Sequence, residues 1–316
     1  MSKLKLYIHV KMAKHFLRWE IPEFAKHFEI VETPASDTIL LSFGPDALQE
    51  ASVLPARARF AVLFPGFSFN PVRDPILRAA QREMIREHFA QVFINPGPLE
   101  IAYRGLENVS FYPFSIDIES VKLKGYRTSI DSLLHVSHDN PQKDWRRSEA
   151  VMRKTRLPYE VFPPREVKIL EKHLLQGERV DRIRKALGSP RPQRLPVGYF
   201  DHKRTISRYQ HYDGFVHVAR DVRHPEFIDG KYTASLIEAG VTGCIIFWHD
   251  TWGLGNGLES VFDLALDSTT AARQILEIRS SIDVRAQSKK TREEMLDVFN
   301  PQSSVRVRAD RMMQLL

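Results

Sequence analysis

With Cys244 as its single cysteine, this 316-residue chain can form no internal disulfide and no cysteine-based zinc cluster. Long apolar runs are also missing. The longest, such as Cys244 to Trp248, fall far short of the roughly 20 residues that span a bilayer. The first apolar stretch is broken by His9, Lys11, Lys14 and His15, so no secretory leader is read there. These absences make a reducing, cytoplasmic location the expectation. No internal repeat or low-complexity tract is present, which sets aside solenoids, coiled coils and fibres.

What is present is ordinary in bulk. At 43% hydrophobic and 27% charged the composition is that of a soluble globular protein. A chain of 316 residues exceeds what one core usually serves, so two domains are expected. The charge is less ordinary. Lysine and arginine exceed aspartate and glutamate by 46 to 39, and the segment Lys143 to Arg194 carries 15 basic against 7 acidic residues. Such a stretch suits phosphate groups, an anionic membrane surface, nucleic acid, or a merely solvated face.

Strand-like and helix-like segments alternate. Lys5–Val10, Phe28–Glu32, Thr38–Phe43, Phe60–Phe64 and Gln91–Ile94 read as strands. Helices are read through Phe16, Ile21, Phe24 and Phe28 and over Asp74–Phe89, and Asn95–Pro98 reads as a turn. After a segment at Tyr112–Thr128, the pattern restarts. Strands are read at Ser132–Val136, Tyr159–Phe162, Leu195–Val197, Gly214–Val218 and Gly243–Trp248. Helices are read at Trp145–Lys154, Arg165–Gln176, Arg179–Leu187, Lys203–Gln210, Thr233–Ala239 and Thr269–Ser281. The alternation with short connections predicts open, mostly parallel α/β sheets, two of them doubly wound. A last helix at Lys289–Phe299 and the tail Arg306–Leu316 have no sheet of their own and are free to cross back to the first domain.

The most informative stretch is Lys231 to Gly240, followed by Gly243 and an apolar strand. Thr233 or a neighbour can cap a helix, leaving the amides of residues 234–236 for an anion. Glu238, one turn on, can accept two hydrogen bonds from a vicinal diol such as a ribose, or simply pair with an arginine. Arg220, Arg223 and His224 follow a strand and either face a bound diphosphate or, for Arg220, pair with Asp221. Gly253, Gly255 and Gly257 between Trp252 and Glu259 permit close backbone approach but lack the lysine and hydroxyl of a P-loop, so no ATPase is read. His135, His138, His173, His202, His211, His217, His224 and His249 form no H-E-x-x-H or comparable ligand set. They read as ordinary surface or core histidines, and no metal site is expected. In the first half, His9, Lys11 and Lys14 follow the first strand and Phe64-Pro65-Gly66-Phe67 ends another, where α/β sheets place ligand loops.

Several of these segments occur in a familiar order. Tyr112-Pro113-Phe114-Ser115-Ile116-Asp117, Leu133 to Lys143, Tyr209 to Val216, and Ser235-Leu236-Ile237-Glu238-Ala239 with Gly243 resemble successive landmarks of the retaining GT-B glycosyltransferases of group 1, or family 4. The resemblance spans most of residues 110–300. It implies two Rossmann-like domains facing a cleft: 1–118 on the acceptor side, with 289–316 returning to it, and 119–288 binding the nucleotide sugar. It implies an enzyme that moves a sugar from a nucleoside diphosphate donor to an acceptor hydroxyl, with retention, in glycan or polysaccharide synthesis. By the same likeness Lys143 neutralises the diphosphate, with His138 where an arginine is usual. Glu238 holds the ribose. The chain at Thr233, Ala234 and Ser235 serves the phosphates by its place at a helix start, and Arg220 by its place after a strand. Gly230 occupies the place of the first glutamate of the family's E-x7-E pair, with Asp229 and Glu226 nearby. No cofactor beyond the donor substrate is implied, and no nucleic acid partner. The implied acceptor is a glycan or lipid-linked glycan, and the basic second half suits peripheral association with an anionic inner membrane face. The competing readings are a nucleotide-sugar epimerase of the same fold and a basic nucleic-acid-binding or non-catalytic protein.

Overall fold

The computed structural model describes residues 3–11, 17–64, 71–118, 121–137, 143–162, 202–220, 231–253 and 257–316, with backbone alone for 202–204. The helices expected at Arg165–Gln176 and Arg179–Leu187 and the strand at Leu195–Val197 lie outside these residues, as do His138, Glu226, Asp229 and Gly230. The chain divides into two compact units. One comprises Met1–Ser120, Arg223–Ala234 and Met295–Leu316, the other Val121–Val222 and Ser235–Glu294.

The first unit is built on a sheet in which β1 (Lys5–Val10), β2 (Glu29–Val31), β3 (Ile39–Phe43), β4 (Ala58–Leu63), β5 (Gln91–Ile94) and β6 (Val109–Phe111) lie in the order β2-β1-β3-β4-β5-β6. Every pairing is parallel. Parallel strands covered on both faces read as unbroken apolar runs, and Ile39-Leu40-Leu41-Ser42-Phe43 is buried throughout. Its alternate residues serve two cores. Ile39, Leu41 and Phe43 join Phe24 of α1 (Ile21–His27) and Val305, Ala309 and Met312 of the C-terminal helix. Leu40 faces Leu48 and Ala51 of α2 (Leu48–Ala51) and Ile85 of α3 (Pro75–His88). Helix α3 begins where sequence rules place it: Asp74 accepts from the amides of Ile76 and Leu77, both at 2.9 Å, with Pro75 in the first turn.

In the second unit β7 (Leu133–Val136), β8 (Tyr159–Phe162), β9 (Gly214–His217), β10 (Ile245–Trp248) and β11 (Val261–Asp263) run in the order β11-β10-β9-β7-β8, again all parallel. Around them lie α5 (Trp145–Thr155), α6 (His202–Tyr209), α7 (Ala234–Val241) and α8 (Ser268–Ser281). Val151 and Met152 of α5 and Ala271, Ala272 and Ile275 of α8 close the core over Leu133, Val216, Ile245 and Phe247. Arg127 ties the far end of this sheet together, donating to the carbonyls of Tyr209, Tyr212, Gly125 and Thr242 at 2.8–3.0 Å. Both units are therefore doubly wound α/β structures, as the alternation predicts.

Three expectations are corrected, and two strands are added. Asn95–Pro98 is no simple turn, because Pro98 opens α4 (Pro98–Tyr103), whose Glu100 carboxylate accepts from the Gly97 amide at 2.9 Å. The interval after it holds β6, and the interval after β10 holds β11. The last helix starts earlier than Lys289, as α9 (Val284–Val298). The tail is itself a helix, α10 (Pro301–Gln314), capped by Asn300, which accepts from the Gln302 amide at 2.8 Å.

Candidate functional site

In each described sheet the strand order reverses once, between β1 and β3 in the first and between β7 and β9 in the second. Open α/β sheets bind ligands outside the carboxyl ends of the strands at such a reversal. The residues leaving β7, β9 and β10 are therefore the candidates for a ligand site of the second unit: Ser137 and Lys143, Val218 to Arg220, and His249 to Gly253.

These segments are held by specific bonds. Ser148 of α5 donates its hydroxyl to the Val218 carbonyl at 3.2 Å and accepts from the Val218 amide at 3.0 Å. The Thr251 hydroxyl donates to the Ala219 carbonyl at 2.9 Å, and the His249 amide donates to the His217 carbonyl at 3.0 Å. His249 is fixed in turn by a 2.7 Å bond between Nδ1 and the Leu264 carbonyl. The chain after β9 is thus clamped from both sides, which suits a site that presents side chains at set positions.

Lys143 is half-buried and sits one residue before Asp144, which has left-handed φ/ψ angles and precedes α5. Asp144 accepts from Arg147 Nε at 3.0 Å and lies 3.6 Å from Arg220 Nε. Arg220 therefore shares its charge with Asp144, and its side chain is still 61% exposed. An exposed pair of this kind is weak and easily exchanged for a ligand. Through Asp144 the structure brings Lys143 and Arg220 to one corner.

Glu238 lies on α7, half-buried, and accepts a hydrogen bond from Tyr209 Oη at 3.3 Å. Tyr209 is itself fully buried. Ser235 is on the same helix three residues earlier, half-buried like Glu238. Thr233 and Ala234 precede it, Thr233 buried, and the division between the two units falls between Ala234 and Ser235. The turn from α7 into β10 needs Gly243, whose φ of +83° is the left-handed region and whose absent Cβ would meet Ser288 Oγ at 2.9 Å.

Sequence reasoning missed Tyr209, Asp144, Ser148 and Thr251 as supporting groups. It also grouped all the histidines together, although two of them differ. His135 of β7 uses both ring nitrogens, Nδ1 to the Val216 carbonyl at 2.8 Å and Nε2 to Ser137 Oγ at 2.7 Å. His217 of β9 is 3% exposed, and its buried Nδ1 has no hydrogen-bond partner among the described residues. Among the described residues no three His, Cys, Asp or Glu side chains come together as a metal site.

On the first unit, His9 is the penultimate residue of β1 at the reversal and is buried, with Nε2 3.8 Å from Glu50, which Lys11 pairs at 2.6 Å. Burial outweighs Glu50 and lowers the His9 pKa, favouring the neutral ring. Lys14, and Pro65, Gly66 and Phe67 of the aromatic turn, lie outside the described residues.

No family model matches the chain, and no curated protein does. Solved structures do. Sucrose-phosphate synthase from Thermosynechococcus elongatus superposes with a TM-score of 0.60 at 13% identity, covering 100% of this chain and 99% of that one. HepE of Anabaena, solved with UDP and glucose, gives 0.61 at 10% identity over 99% and 100%. A glycosyltransferase from Rickettsia africae gives 0.59 at 8% identity over 99% and 98%. The fold is GT-B. At these identities the likeness is one of architecture, extending over essentially the whole of each chain.

Proposed function

We propose that this GT-B chain is a glycosyltransferase, moving a sugar from a nucleoside diphosphate bound by the second unit to the hydroxyl of an acceptor bound by the first. The observation that carries this reading is Glu238, a half-buried carboxylate on α7 steadied by Tyr209, in a sheet whose reversal also presents Lys143 and Arg220. The carboxylate accepts from the two ribose hydroxyls, while Tyr209 occupies one of its lone pairs. Lys143 is a compact cation suited to the diphosphate, and Arg220 can leave the exposed Asp144 pair to join it. As the bond from the anomeric carbon to the β-phosphate oxygen breaks, the charge on the departing diphosphate grows. Fixed cations and the amides at the start of α7, near Ser235, stabilise that charge without reorganising. His138 belongs to the same proposal by its place in the motif alone.

Retention of configuration, a glycan or lipid-linked glycan acceptor, and cytoplasmic work at the inner membrane face are further parts of the proposal. None of the described helices is long and apolar enough to cross a membrane. HepE was solved with UDP and glucose and with UDP-glucose, which makes UDP-glucose the first donor to try.

A thermal-shift series with UDP, GDP, ADP, CDP and dTDP, free and as nucleotide sugars, tests the reading, because a ligand of the native state raises the melting temperature by mass action. One base giving a clear shift that disappears in Glu238→Ala supports it. No shift with any of them, together with salt-sensitive binding of random RNA, would replace it with nucleic-acid binding.

A further inference from the structure

His217 is the one polar side chain of the β9 run Gly214-Phe215-Val216-His217-Val218, and it ends that strand at the reversal. Its ring stacks on His135 with centroids 5.4 Å apart and planes 11° from parallel. The two imidazoles are chemically distinct. His135 donates from Nδ1 to a backbone carbonyl and accepts at Nε2 from Ser137, so its hydrogen bonding is complete within the protein. His217 Nδ1 is removed from water and has no partner among the described residues. Buried polar nitrogens in folded proteins are normally bonded, and one left empty at a strand reversal calls for a ligand.

The neighbourhood indicates which kind. Arg220 lies three residues further along the same clamped segment, and the charge of Lys143 reaches the ring. Burial first, then Lys143, then His249, hold the imidazole in its neutral form, with its pKa lowered to about 3. A neutral ring within reach of Lys143, on a segment that also carries Arg220, keeps one N–H to give, and an anion is the acceptor that those cations also favour. A hydroxyl ligand would bring no charge for those cations to attract.

We propose that His217 donates a ring N–H to a phosphate oxygen of the nucleoside diphosphate, as a ligand-contacting residue of the second unit that orients the diphosphate between Lys143 and Arg220. This rests on the donor reading above. The backbone positions the ring in advance: His249 bonds the His217 carbonyl, and Ser148 brackets Val218. His135 supports the ring face and fixes its tilt.

The test uses the full chain labelled with 15N-histidine, titrated with UDP, GDP, ADP, CDP and dTDP and with the matching monophosphates. His217→Leu assigns the His217 ring signals and removes the N–H while keeping an apolar side chain. On saturation with the nucleotide that binds, the His217 15N signals should move towards hydrogen-bonded values. His217→Leu should lose about tenfold or more in diphosphate affinity and much less in monophosphate affinity. Unmoved His217 signals in a wild-type protein that binds a nucleotide whose binding is lost in Glu238→Ala would overturn the proposal and leave the donor reading standing. Equal losses for mono- and diphosphate would also overturn it, as the mark of a merely structural residue. If no nucleotide binds the wild type, the donor reading and this proposal fall together. Should the leucine variant fold poorly, His217→Asn provides the assignment, and the wild-type spectra then decide the question.

Discussion

Arg308 and Glu20 form a two-point ion pair at 2.7 and 3.0 Å, with side chains only 2% and 1% exposed. Glu20 precedes α1 and Arg308 belongs to α10, so the pair fastens the C-terminal helix to the start of the first unit. Ser115 donates to the same Glu20 carboxylate, and Ser304 accepts from Arg308 at 3.0 Å. The Ser115 carbonyl in turn accepts from Trp19 Nε1 at 3.0 Å. Every charged atom of the pair is thus answered, which is the condition under which a buried ion pair is tolerated.

Removing one partner strands the other. Arg308→Met should lower the unfolding free energy by about 3–5 kcal/mol, because the Glu20 charge is left buried and uncompensated. The double variant Glu20→Leu with Arg308→Met should recover much of that loss. Urea denaturation of the three proteins checks it, and a double variant no better than the single one would show that the pair itself is strongly stabilising.

Gly243 offers a second check on packing. Ser288 donates to the Gly243 carbonyl at 2.6 Å and accepts from the Arg127 amide at 3.0 Å, so a Cβ on Gly243 pushes on the residue that bridges two segments. Gly243→Ala adds left-handed strain of roughly 1–2 kcal/mol to that collision. The melting temperature should drop by several degrees, whereas Gly105→Ala, also at positive φ but with open space around its Cβ, should lose less.

Much of this architecture was legible in the residues. Buried parallel strands such as Ile39–Phe43, followed by Gly44-Pro45, and Ile245–Trp248, preceded by Gly243, are largely apolar runs next to breaker residues, so both sheets could be read from pattern. Strands β6 and β11, three residues each, are too short for any periodicity to show. Helix α10 carried a signal that went unread: Asn300-Pro301 is a cap followed by a first-turn proline, and Val305, Ala309 and Met312 recur at helical spacing. The site was legible as motif but not as contact. Glu238 could be named, yet its Tyr209 partner is 29 positions away. Arg220 was weighed against its neighbour Asp221, while the fold supplies Asp144. No sequence pattern separates His135, with both nitrogens bonded, from His217, with one empty, since that depends on which carbonyls the sheet brings near each ring.

The Tyr209 contact makes a graded prediction about the donor site. Glu238→Ala should weaken nucleotide binding by about tenfold to a hundredfold, the range for hydrogen bonds to a charged group. Tyr209→Phe leaves the buried ring in place and removes only the hydroxyl that steadies the carboxylate, so its loss should be smaller, about threefold. Calorimetric titration with the nucleotide found by thermal shift ranks the two. A Tyr209→Phe loss as large as that of Glu238→Ala would show the hydroxyl touching ligand directly.

The neutral state of His217 has a consequence for stability that needs no ligand. In the native protein its pKa lies near about 3, driven chiefly by burial, while an unfolded histidine titrates near about 6.5. Between those values the unfolded chain holds the proton and the native one does not. Unfolding then takes up a proton, so native stability rises with pH through this window and is lost as pH falls through it, at up to about 1.4 kcal/mol per pH unit. His9, also lowered by burial, acts in the same direction and is present in the variant as well, so the difference between proteins isolates His217. Wild type and His217→Leu should therefore be compared by urea unfolding between about pH 6 and about pH 4, where the wild type should lose stability relative to the variant by about 1 kcal/mol per unit. A gap between the two that stays constant with pH would mean that the ring carries its proton in the folded state. In that case Lys143 could not lie close to it, and the corner that gathers the phosphate groups would have to be drawn without His217.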